Sequence, residues 1–142
     1  MSERGKLITL EGPEGGGKST QARLLSEWLA ERGVSVHVVR EPGGTPTGEL
    51  IRNILQHNEA GEPLCAESEV LLFAASRAQL VRTAILPALK RGEWVISDRF
   101  ADSTTAYQGY GRGFDVEEMI RINEFAIGPA VPDRTYLLDV DT

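Results

Sequence analysis

The sequence predicts an α/β fold, a parallel sheet with helices on both faces. Short β-branched and apolar runs alternate along the chain with amphipathic stretches of helical period. Those runs show little of the in-and-out alternation of a half-exposed strand, as strands buried on both faces require. A cluster of glycines stands directly after the first run, where a strand would turn into a helix.

Lys6–Glu11 (KLITLE) reads as the first strand. Ser19–Arg32 reads as a helix, with Ala22, Leu25, Trp28 and Leu29 on one face and Gly33 to stop it. Val34–Arg40 (VSVHVVR) is β-branched and bounded by Gly33 and Pro42, which makes it a second strand. Glu49–His57 has a helical pattern, and a longer one runs from Ala66 to Arg91, with a kink or break expected near Pro87. Trp94–Ser97 (WVIS) is a third strand, Val116–Ile127 an amphipathic helix and Thr135–Val140 (TYLLDV) a fourth strand. Open parallel sheets bind ligands at the carboxyl ends of their strands. The residues following Leu10, Val39, Ser97 and Val140 are therefore the first places to look for chemistry.

The 142 residues suffice for a single domain, 1–142, and are too few for two of ordinary size. With 41% hydrophobic and 25% charged residues, the chain has the usage of a globular domain and not of a disordered tail. The longest unbroken apolar run, Val70–Ala75, is short for a membrane span, and no signal-peptide core follows Met1–Lys6. Fifteen basic against 21 acidic residues give a formal charge of −6, which argues against a nucleic-acid polymer or an anionic membrane as partner. The single cysteine, Cys65, has no internal partner, so a reducing cytoplasm is the expected compartment.

Gly12-Pro13-Glu14-Gly15-Gly16-Gly17-Lys18-Ser19 matches G-x-x-x-x-G-K-[ST] in full. Glycines let the backbone turn its N–H groups inward around a phosphate at a helix N-terminus. Lys18 would reach the β- and γ-phosphates, and the Ser19 hydroxyl would hold Mg²⁺. ATP or GTP is the implied ligand. The chain contains no N-K-x-D segment for guanine, and it is short for a motor or transporter. A second set of residues bears on the acceptor. Arg40-Glu41-Pro42-Gly43-Gly44-Thr45 ends the second strand and Asp98-Arg99-Phe100 the third, while Phe73 and Arg77 share a helix face at i, i+4. A planar base could stack on the Phe73 ring while the Arg77 guanidinium donates to a base carbonyl. Arg99 is suited to a bidentate grip on a second phosphate.

With these motifs in view, the sequence resembles the bacterial thymidylate kinases. The motifs that carry the resemblance are Leu10–Thr20, Arg40–Thr45, Leu72–Arg77, Ser97–Phe100 and Ser103–Gly113, in the family's order across the whole chain. The resemblance implies a three-layer αβα P-loop NTPase fold with a parallel sheet in the order 2-3-1-4-5. It implies transfer of a phosphoryl group from ATP, with Mg²⁺, to dTMP, and a homodimer. Phe73 would stack on thymine, Arg77 would bond its carbonyl, and Thr104 would meet the base edge. Tyr107 would crowd the sugar 2′ position, with Gln108 beside it in the acceptor pocket. Arg99 would hold the acceptor phosphate, and Glu14 would contact the sugar 3′-OH. Thr20 belongs with the loop residues around the donor, and Arg40 with the acceptor side. Some members place an arginine directly after the loop's acidic residue; here that position is Gly15. The resemblance therefore puts the chain in the branch whose catalytic arginines come from a lid. Family members run on past the fourth strand, so a lid and a fifth strand are expected to be missing and turnover by the 142 residues alone to be weak.

Several residues have plainer readings. Arg40 and Glu41 either belong to the site or merely hold the Gly43-Gly44 turn. Asp98 either orients Arg99 or assists Mg²⁺ through water, without being a direct ligand. His37 and His57 have no partner at ligand spacing and are expected to be structural, and nothing near Cys65 suggests zinc. Asp139 and Asp141 fall at the ligand end of the fourth strand, where acids are also common turn formers. The rival functions are another nucleoside monophosphate kinase of the same architecture, or a nucleotide-binding fragment without turnover.

Overall fold

The computed structural model describes residues 3–13, 15, 17–57, 59–99, 113 and 115–138. Its four strands are β1 (Leu7–Glu11), β2 (Val36–Arg40), β3 (Trp94–Asp98) and β4 (Arg134–Leu137), all parallel, in the order β2-β3-β1-β4. This is the order expected for the first four strands. The helices are α1 (Lys18–Glu31), α2 (Pro46–Gln56), α3 (Ala66–Leu80), α4 (Leu86–Lys90) and α5 (Val116–Ile127).

Alternation along β1 and β3 divides the core between the two faces. Leu7 and Val95 point to the side covered by Leu80, Val81, Ile85, Ala88 and Leu89. Ile8, Leu10 and Ile96 point to the other, covered by Ala22 and Leu29 of α1. All five residues of β1 are buried, and the core belongs to this central pair. The edges differ. All four residues of β4 are exposed, and among the described residues it pairs with β1 alone, so there the expectation of strands covered on both faces holds for the middle of the sheet and not for this edge.

Local chemistry explains where the elements begin and stop. α2 starts three residues before the predicted Glu49, because Thr45 Oγ1 accepts the Gly48 N–H at 2.8 Å and Pro46 fits the first turn. The expected break in the long helix is a π-turn over Val81–Ile85, one turn before Pro87. Proline brings no N–H to the carbonyl four residues back and crowds it, so the turn ahead of it widens. α5 begins at the Asp115 cap, whose Oδ1 accepts the Glu117 N–H at 3.0 Å. Its last turn is closed by Arg82, which donates to the Ala126 carbonyl at 2.6 Å and the Phe125 carbonyl at 3.2 Å.

Two sequence expectations are corrected. Trp28 is not a core residue: it is 50% exposed, with the Arg32 guanidinium 3.6 Å above its ring. It lies at the margin of the stripe that Ala22 and Leu29 bury. The other concerns length: Ala66–Lys90 as a whole is long and apolar enough, by length and composition, to cross a membrane, although no single apolar run is. In the fold its side chains Leu80, Val81, Ile85, Ala88 and Leu89 form the core beneath the sheet.

Candidate nucleotide and acceptor site

The strand-to-helix loop after β1 is shaped by glycine. At Gly12 a Cβ would stand 2.8 Å from the Leu138 carbonyl oxygen, so only hydrogen fits. Gly17 has φ 91°, a left-handed conformation that puts the backbone in position to start α1 at Lys18. Lys18 is buried, and its Nζ donates to the Gly12 carbonyl at 2.8 Å and the Pro13 carbonyl at 2.9 Å. The ammonium thus closes the loop on itself, while Gly15, Ser19 and Thr20 lie exposed around the start of the helix. Glu14 and Gly16 lie outside the described residues.

Beside the loop, β3 ends at Asp98 and Arg99. Arg99 holds φ 76°, unusual for a residue with a Cβ. Its N–H donates to the Leu10 carbonyl at 2.9 Å, and its carbonyl accepts from Ser97 Oγ at 2.6 Å. Strain of this kind costs about 1–3 kcal/mol and persists where neighbours hold it in place. Asp98 Oδ1 is buried with no hydrogen-bond partner among the described residues. Burial pushes the Asp98 carboxyl up, and the positive charges of Lys18 and Arg40 oppose that. Lys18, Arg40 and Asp98 therefore share one electrostatic neighbourhood at the carboxyl ends of β1, β2 and β3.

A buried ion pair forms the next corner. Arg77 Nε lies 3.0 and 2.9 Å from the two Glu41 oxygens, Arg77 Nη2 lies 2.8 Å from Oε2, and Nη1 donates to Asn123 Oδ1 at 2.9 Å. The Arg77 and Glu41 side chains are 2% and 3% exposed. Desolvation pushes the Glu41 carboxyl up, with Arg77 pulling the other way. The loop carrying Glu41 is fastened at both ends of its turn. The Glu41 N–H donates to the Asp98 carbonyl at 3.3 Å, and the Gly43 N–H to Ser76 Oγ at 3.1 Å. The Glu41-Pro42 peptide is cis. Phe73, half-buried, stands one turn before Arg77 on α3.

The glycine-shaped loop after β1, Arg99 after β3 and the Arg77–Glu41 pair after β2 thus all stand at the carboxyl ends of the strands. A family model for thymidylate kinase matches residues 10–142. The chain belongs to the thymidylate kinase family. It is 50% identical over 134 residues to the thymidylate kinase of Kosmotoga olearia, covering 94% of this chain and 64% of that one. It is 51% identical over 138 residues to that of Pelotomaculum thermopropionicum, covering 97% and 63%. The crystal structure of thymidylate kinase from Ehrlichia chaffeensis superimposes with a TM-score of 0.89 at 44% identity, over 97% of this chain and 78% of that one. The chain spans about two thirds of the length of these curated relatives. Its αβα sheet and loop are those of a P-loop NTPase fold.

Of the residues singled out in the sequence, the fold gathers Gly12, Pro13, Gly15, Gly17, Lys18, Ser19 and Thr20 on the loop and Arg40 and Arg99 at the neighbouring strand ends. Phe73 and Arg77 stand together on α3. Thr104, Tyr107 and Gln108 lie outside the described residues, as do Asp139 and Asp141. The Glu41 side chain is the counter-ion of Arg77, and the Gly43-Gly44 turn is held by Ser76 and by Glu49, which accepts the Gly44 N–H at 3.0 Å. Sequence reasoning misses Asn123. The available signal is a polar residue in the buried row Met119, Asn123, Ala126 of an otherwise amphipathic helix.

Proposed function

We propose that the protein transfers the terminal phosphoryl group of ATP to dTMP, giving ADP and dTDP. The observation that supports this most is the presence of two separate cationic positions at one sheet edge: Lys18 on the loop and Arg99 at the end of β3. A nucleotide binder without an acceptor would need only the first. The acceptor is a phosphate monoester with a second pKa of about 6, so at pH 7 it is mostly a dianion and needs no general base. The work left is alignment of two anions and cover for their repulsion. Lys18 and the loop N–H groups hold the ATP phosphates, and Arg99 holds the acceptor phosphate. Phe73 stacks on thymine and Arg77 bonds a ring carbonyl. Glu14, Thr104, Tyr107 and Gln108 complete the sugar and base contacts in this reading, and Arg40 lends positive charge on the acceptor side. The new P–O bond forms to the dTMP oxygen as the bond to the ADP oxygen breaks.

The residues present suit Mg²⁺. Ser19 supplies a hydroxyl at the start of α1, and Asp98 supplies a buried carboxylate oxygen free to accept from a metal-bound water. When bound, the ion supplies charge neutralisation on the ATP phosphates. A homodimer and a cytoplasmic location belong to the same reading.

A panel of dTMP, dUMP, UMP, CMP and AMP, measured by calorimetric binding and by ADP release, tests the assignment. The expected result is the tightest binding for dTMP, with Arg99→Ala weakening dTMP far more than ATP. Preference for a ribonucleotide would sink the thymidylate reading, and equal losses for both ligands would refute the division of labour.

A further inference from the structure

We propose that Glu41 and Asn123 are positioning residues for Arg77: they fix the plane of its guanidinium and balance its charge, so that this corner reads a carbonyl of the base and leaves the phosphate to Arg99. The proposal rests on the thymidylate reading above and deepens it. Arg77 is held from two directions by residues 36 positions before it and 46 after it. Glu41 grips Nε and Nη2 together, and Asn123 takes Nη1, so rotation about the last side-chain bonds is blocked.

The pairing also sets what the corner can recognise. A guanidinium locked against a carboxylate below 3 Å, both nearly without solvent contact, has little net charge to offer a dianion. It keeps the directional N–H geometry that discriminates a carbonyl from an amino group. Stability alone is a weak account of such a pair. Buried ion pairs are often no better than apolar residues of the same volume, because desolvation offsets their attraction. The placement is also specific. The Glu41 backbone hangs from the end of β3 beside Arg99, and Ser76, next to Arg77, receives the Gly43 N–H. Base-reading and phosphate-holding arginines are thereby tied into one frame at a set spacing.

The test is calorimetric binding of dTMP, of 5-methyl-dCMP, in which an amino group replaces the C4 carbonyl, and of thymidine, which has no phosphate. Glu41→Gln, Glu41→Asp and Asn123→Ala are compared with the unaltered protein, each checked for folding by circular dichroism. The expected result is a dTMP over 5-methyl-dCMP preference that falls at least fivefold in Glu41→Gln and Asn123→Ala. It should be partly restored in Glu41→Asp, while the dTMP over thymidine preference stays within twofold. A merely structural role would lower both affinities together and leave the first ratio unmoved. Asn123→Ala removes the hydrogen bond to Arg77 Nη1 without stranding a buried charge and keeps the experiment decisive should Glu41→Gln not fold. An unmoved ratio in folded Asn123→Ala overturns the proposal while leaving the thymidylate reading intact. Failure of the unaltered protein to bind dTMP overturns that reading, and this proposal with it.

Discussion

At the end of β2, the Arg77 guanidinium meets Glu41 and Asn123 out of contact with solvent. A short distance along the same sheet edge, Asp98 keeps a buried oxygen without a hydrogen bond among the described residues, and Arg99 holds a left-handed backbone. Beside them Lys18 donates to the carbonyls of its own loop. The first corner is electrically closed and fixed in shape. The second holds its groups in arrangements that a ligand's phosphates or a metal-bound water could improve. The difference matches the proposed division, in which the first part recognises the base and the second receives charge. A neutral base needs directional donors already in place, whereas a phosphate needs cations whose present partners, such as loop carbonyls, are easily exchanged.

The sharpest way to break this contrast is to remove one residue from each corner. Glu41→Ala leaves a buried guanidinium without its counter-ion, and unfolding free energy measured in urea should fall by about 3–5 kcal/mol. A loss below about 1 kcal/mol would mean that the corner is not closed. Lys18→Ala should show the reverse balance. ATP affinity by calorimetry should drop about 100-fold, roughly 3 kcal/mol, while stability changes by about 1 kcal/mol or less, since the loop carbonyls can turn to water. A stability loss as large as that of Glu41→Ala would erase the distinction between the corners.

The smallest effect belongs to an exposed ion pair at the opposite end of β1. Asp133 accepts the Leu7 N–H at 2.7 Å and pairs with Arg4 at 3.3 Å. The Leu7 hydrogen bond, helped by Arg4, holds the Asp133 carboxyl below its usual range. A carboxyl lowered in the folded state contributes stability above its unfolded pKa, and that contribution is lost as pH falls through the folded value. Asp133→Asn should therefore cost about 1 kcal/mol at pH 7, after allowance for solvent screening, and nothing once the pH is below the folded value. Denaturant melts of both proteins across that range supply the check, and a difference that persists in acid would assign the effect to shape instead of charge.

Much of this edge is legible in the amino-acid sequence alone. The loop from Gly12 to Ser19 announces itself because its requirements are local: glycines for the turn, a lysine at the helix start, an apolar strand before it. The Phe73–Arg77 pair is legible as a face because helical spacing is also local. The start of α2 is misplaced by pattern because Glu49 draws attention from the Thr45-Pro46 cap, although the cap is there to be read. Trp28 is misplaced because helical periodicity shows a stripe but not its margins. The left-handed backbone of Arg99 has no sequence signal at all, since an arginine gives no hint of positive φ. It is held there by the Leu10 carbonyl and the Ser97 hydroxyl, across the sheet and along it.

The sequence by itself therefore determined the α/β alternation, the phosphate loop and the family resemblance, because each is written in contiguous residues or short spacings. Only the tertiary structure decided that Glu41 is the partner of Arg77 and that Asn123 completes the pair, because those residues meet across 36 and 46 positions of chain. It also decided that β1 is wholly buried while β4 is wholly exposed, although both read as apolar strands. Burial depends on what lies over a strand, and no strand carries that in its own residues.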